Sequence, residues 1–91
     1  MTDRVDKIRA LLEAALQPRE LDLHDDSAAH AGHAGALQSG GGHFSVYIVA
    51  DAFAGKSLLQ RHQMVYQALG DLMRTDIHAL MIKALTPEEL T

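Results

Sequence analysis

His43-Phe44-Ser45-Val46-Tyr47-Ile48-Val49 alternates, with Phe44, Val46 and Ile48 on one face and Ser45 and Tyr47 on the other. A period of two predicts a strand with one face covered by a core. A turn, Ala50 to Lys56, follows. Ser57 and Gln60 then have capping-box spacing, and Leu58, His62, Val65, Tyr66, Leu69, Leu72 and Met73 trace one stripe at helical spacing. Ile77 to Leu85 reads as the next strand. Strand, helix and strand in this order favour a right-handed crossover, which makes the two strands parallel.

On the N-terminal side, Val5, Ile8, Leu11, Leu12, Ala15 and Leu16 recur at helical spacing after a Thr2 cap. Asp3 and Asp6 sit at the positive end of the helix dipole, and Pro18 ends the pattern. Glu20 to His24 alternates again, Leu21 and Leu23 against Asp22 and His24, as in a short half-exposed strand. At the other end Thr86, Pro87 and Glu89 resemble a cap, a first-turn proline and a capping-box acid opening a last helix. The predicted order is α-β-β-α-β-α. Residues 1–91 are expected to form a single α+β domain, a three-stranded mixed sheet with helices packed on one face.

Ser27 to Gly42 contains only small residues, His30, His33, Leu37 and Gln38, and holds five of the seven glycines. It has no aromatic, β-branched or charged residue with which to build a core. A flexible Gly/His loop over 27–42 is expected, and loops of that length in small domains are usually functional or disordered.

The 91 residues include no cysteine, no tryptophan and six histidines, with a net charge of −4. Absent thiols exclude a disulfide scaffold, a Cys nucleophile and an iron–sulfur cluster held by this chain's own sulfur. Imidazole and carboxylate remain as ligands. No run of 18 apolar residues is present and the first residues are acidic, so the expectation is a cytoplasmic protein without membrane contact. Lys56, Arg61, Arg74 and Lys83 give residues 56–83 a local charge of +2 and are the candidates for phosphate contact on a nucleic acid, although the global charge opposes tight binding. Gly55-Lys56-Ser57 resembles the end of a phosphate-binding loop. Position 50 is Ala where such a loop needs Gly, so a turn with a capped helix start is the better reading.

Among the histidines, His62 falls on the apolar stripe and is expected to be part-buried and satisfied by a backbone carbonyl. His43 reads as an orienting or packing residue, and His24 as a solvated side chain. His30 and His33 stand on the loop with no packing role, a spacing loosely suited to a metal. A mononuclear site from these two and a further imidazole is one reading. His78 opens the third strand, where the fold can bring it near the loop.

Several separated blocks resemble the BolA family, in order and spacing: His43 to Val49, Phe53-Ala54-Gly55-Lys56-Ser57, Arg61-His62-Gln63-Met64-Val65-Tyr66, Ile77-His78-Ala79-Leu80 and Thr86-Pro87-Glu88-Glu89. The resemblance covers nearly the whole chain. It implies a fold like the class II KH domain, a non-enzymatic role, and partnership with a monothiol glutaredoxin in iron–sulfur trafficking or iron and redox regulation. In such pairs a 2Fe-2S cluster is shared, with the glutaredoxin and a bound glutathione supplying sulfur. The family's C-terminal ligand histidine falls on His78. Its loop ligand falls on His30, with His33 as the alternative. Some members of the family act as DNA-binding transcription regulators.

Overall fold

The computed structural model describes residues 4–25, 42–75 and 77–90. The elements are α1 (Arg4–Leu16), β1 (Glu20–Asp25), β2 (His43–Val49), α2 (Leu58–Leu69), a one-turn α3 (Leu72–Thr75) and β3 (Ala79–Leu85). Short 3-10 turns cover Asp51–Phe53 and Pro87–Leu90. The sheet has the order β1-β2-β3, antiparallel between β1 and β2 and parallel between β2 and β3. This is the α+β mixed-sheet fold expected from the sequence. The Thr2 cap and the loop expected over 27–42 lie, apart from Gly42, outside the described residues.

One sheet face carries Leu21, Leu23, Phe44, Val46, Ile48, Leu80, Ile82 and Ala84, and Ile8 and Leu12 of α1 pack on it together with Val65 and Leu69 of α2. Phe53, from the turn after β2, is wholly buried in the same cluster. Each fully buried side chain of this size contributes up to about 1.5–3 kcal/mol, which makes this layer the main source of stability. α1 stops where the pattern predicted: Gln17, ahead of Pro18, takes a φ of 47° and its N–H returns to the Glu13 carbonyl at 3.1 Å.

The second helix begins as expected and then departs from the expected stripe. Ser57 Oγ accepts from the Gln60 N–H at 3.1 Å, and Gln60 Oε1 accepts from the Ser57 N–H at 2.8 Å, a complete capping box. Leu58, however, is 64% exposed and Tyr66 40% exposed. The inward arc instead runs through Arg61, Met64, Val65, Ala68 and Leu69, at i, i+3, i+4, i+7 and i+8. Val65 and Leu69 belong to both the expected stripe and this arc, but the arc opens at an arginine three residues after Leu58, which apolar spacing alone cannot reveal.

The helix also ends earlier than the stripe suggested. Gly70 has φ 53° and ψ −124°, a conformation that residues with a Cβ rarely adopt, and the chain restarts as α3. Leu72 and Met73 still pack on the core, from this separate turn. The third strand begins at Ala79 rather than Ile77, because the Ile77 N–H is taken by the Leu72 carbonyl at 2.9 Å. The C-terminal helix is a 3-10 turn, held by the Thr86 N–H donating to Glu89 Oε1 at 2.8 Å.

Candidate functional site

The start of the parallel pair is where side-chain chemistry gathers. Gly42, buried and at a φ of 89°, presents its carbonyl to the N–H groups of both His78 (2.7 Å) and Ala79 (3.1 Å). That φ suits glycine, and the two bonds fix the backbone of His78 against the first residue of β2. His43 is in register with Ala79. The His43 and His78 rings consequently meet, their centroids 5.2 Å apart and their planes inclined by 56°. His78 is exposed and His43 half-buried. His30 and His33 lie outside the described residues.

The sequence marks His78 as a ligand candidate and gives His43 a packing or orienting role. The structure makes His43 the neighbour of His78. Two signals bear on this contact, a histidine opening one strand and another just before the next, but only the register of the parallel pair joins them.

The four basic candidates have different fates. Arg61 is directed inward, its side chain 12% exposed. Its Nε donates to the Lys56 carbonyl at 3.0 Å, one terminal nitrogen donates to the Ala84 carbonyl at 3.1 Å and to Glu89 Oε1 at 2.7 Å, and the other donates to Glu89 Oε2 at 3.2 Å. A phosphate would have to displace these partners. The Arg61 hydrogen bond, with that of the Thr86 backbone N–H, lowers the Glu89 carboxyl to about 2 from 4.5. Arg74 is solvent-exposed and paired with Asp71 at 2.6 Å. Lys56 and Lys83 are exposed, on the turn before α2 and on β3.

His62 is part-buried, as expected, but differs from expectation in its hydrogen bonding. Its Nε2 is buried and has no hydrogen-bond partner among the described residues, so at this atom the expected carbonyl is missing. Its side chain borders a mainly apolar groove of about 460 Å³, shared with Tyr66, Leu80, Ile82 and Lys83. His24 is exposed on the polar face of β1, as its position in the strand predicted. That groove contains neither His43 nor His78, so the concave surface and the paired imidazoles are separate features. Among the described residues no helix is long and apolar enough to cross a membrane.

Residues 12–89 match the family model for BolA-like protein. The chain is 47% identical over 88 residues to SufE-like protein 1, chloroplastic/mitochondrial, of Arabidopsis thaliana, an alignment of 92% of this chain and 24% of that protein. It is 44% identical to BolA-like protein 1 of Mus musculus, covering 90% of this chain and 57% of the relative. Against the DNA-binding transcriptional regulator BolA of Escherichia coli (strain K12) it is 37% identical, covering 92% and 76%. The chain thus spans well under two thirds of the length of the first two of these relatives. Among solved structures, BolA1 from Arabidopsis thaliana superposes with a TM-score of 0.85 at 40% identity, covering 98% of this chain and 97% of that one. Family model, relatives and fold agree along nearly the whole length, and the chain belongs to the BolA-like family.

Proposed function

We propose that this protein is a non-enzymatic adaptor that pairs with a monothiol glutaredoxin and offers imidazole ligands to a shared 2Fe-2S cluster, in iron–sulfur trafficking or iron and redox regulation. The observation that carries this reading is an exposed imidazole, His78, anchored through its backbone to Gly42 in a chain with no cysteine. The donor set fits: such a chain cannot hold iron by sulfur alone, and it can complete the coordination of an iron whose thiolates come from the glutaredoxin and its glutathione. When bound, the cluster supplies one-electron chemistry and transferable iron and sulfide. His78 is assigned as one ligand and His30 as the second, with His33 as its alternative. Neutral imidazole in place of thiolate removes negative charge from the iron and raises its potential. The proposed setting is the cytoplasm, whereas the Arabidopsis SufE-like relative is named chloroplastic/mitochondrial.

The test is visible circular dichroism of a cluster-loaded monothiol glutaredoxin on addition of this protein. The expected result is a change in the cluster bands that His78→Ala abolishes. Retention of the full change by His78→Ala would overturn the ligand assignment. Alanine at His30 and at His33, separately, identifies the loop ligand.

A second reading is a DNA-binding regulator, favoured by similarity to the E. coli protein of that name. Of its contact residues Lys56, Arg61, Arg74 and Lys83, two are engaged with carboxylates in this fold, which together with the net charge of −4 makes it the weaker reading. Fluorescence anisotropy across salt concentrations tests it. Absence of sequence-dependent binding from low to physiological salt removes it.

A further inference from the structure

We propose that His43 and His78 together form a two-imidazole site for a borderline divalent ion, of the zinc or cobalt class, in the chain without its partner. The geometry carries this. Two imidazoles bound through nitrogens about 2.0–2.1 Å from one tetrahedral ion have ring centroids about 5 Å apart. Cis positions on a square-planar ion would bring the centroids to about 4.5 Å, and trans positions would separate them to about 6 Å. The observed separation is 5.2 Å, with the planes inclined by 56° so that the rings are not stacked face to face.

The spacing is set by the sheet. His43 opens β2, opposite Ala79, and His78 is held to the carbonyl preceding His43. Both rings therefore project from neighbouring hydrogen-bonded backbones, which limits the ordering cost of bringing them together. Imidazole selects the ion class, since neutral nitrogen suits zinc, cobalt, nickel or copper, whereas calcium and magnesium take oxygen. Among the described residues no cluster of three or more His, Asp or Glu could hold a metal. Two coordination positions are left to water or to donors of another molecule, which makes the site exchangeable rather than a closed structural one. The site stands without the adaptor reading. Its consequence for that reading is competition, because an ion on His78 occupies the imidazole offered to the partner's iron.

The experiment uses the full chain carrying His30→Gln and His33→Gln, titrated with Co²⁺ alone and followed by visible absorption and imidazole proton NMR. The expected result is the intense absorption of tetrahedral Co²⁺, with paramagnetic shifts of His43 and His78 appearing together and reversed by Zn²⁺. His43→Phe keeps a ring for packing and removes the nitrogen, so it weakens Co²⁺ binding by about tenfold or more, as does His78→Phe, while His24→Gln leaves it unchanged. If His43→Phe fails to fold, His43→Gln reads the same loss. Absence of tetrahedral absorption in the parent, or binding undiminished by replacement of His43, shows that the rings are in packing contact only and overturns the proposal. No glutaredoxin is present, so this outcome is independent of the cluster experiment.

Discussion

The two ends of β3 use polar side chains in opposite ways. At the C-terminal end, Arg61, Glu89 and Thr86 are spent on one another: the guanidinium satisfies the Lys56 and Ala84 carbonyls, and the Glu89 carboxylate caps the last turn. At the N-terminal end the imidazoles of His43 and His78 meet, with His78 exposed to solvent. One strand thus carries an ion-pair latch at one end and a contact between two imidazoles at the other. The difference shows why residue type is a poor guide to role here. An arginine that looks like a phosphate contact is structural, and a strand-opening histidine that looks structural adjoins the proposed ligand.

Substitutions at the two ends sharpen this contrast. The largest effect is expected for Arg61→Ala, which leaves two main-chain carbonyls without their charged donor and should lower unfolding free energy by about 2–3 kcal/mol in urea melts. An effect no larger than that of an ordinary surface substitution would break the contrast from the latch side. Gly42→Ala comes next. Its φ of 89° penalises a Cβ by about 1–2 kcal/mol, and the strain falls on the carbonyl that holds His78. Amide exchange at His78 and Ala79 should quicken in the same variant.

Ser57→Ala should cost about 1 kcal/mol by opening the capping box that begins α2. The pH dependence isolates the carboxylate. Glu89 is held at about 2 in the folded chain against an ordinary 4.5, so the folded state binds its proton less readily than the unfolded state. Its contribution is fully present above pH 4.5 and is lost as pH falls from there towards 2. Melting temperature followed over that range should fall less steeply in Glu89→Gln than in the parent. The smallest effect belongs to the other end. His78→Ala should change stability by no more than about 0.5 kcal/mol, because the side chain is exposed and the bond to Gly42 is made by backbone. A loss approaching that of Arg61→Ala would mean that both ends of the strand are structural.

Local chemistry determined much of this protein. The two-residue alternation in His43–Val49, the Ser57–Gln60 box and the proline after α1 were each legible because strand pleat, cap and helix termination depend on neighbours within a few residues. The lack of cysteine likewise required any thiolate to come from elsewhere. What only the tertiary structure decided depends on register and on packing across the sheet. Arg61 became part of the inward arc because the Ala84 carbonyl and Glu89, distant in sequence, were brought within reach. The last turn is a 3-10 turn tied to the same Glu89, and α2 ends at Gly70, whose positive φ interrupts a stripe that apolar spacing alone runs on to Met73. His43 and His78, thirty-five positions apart in the chain, became neighbours through the parallel pairing of β2 and β3. A shift of one residue in that pairing would turn every side chain of a strand to the opposite face, so the residues supplied the imidazoles and the register of the sheet made them a pair.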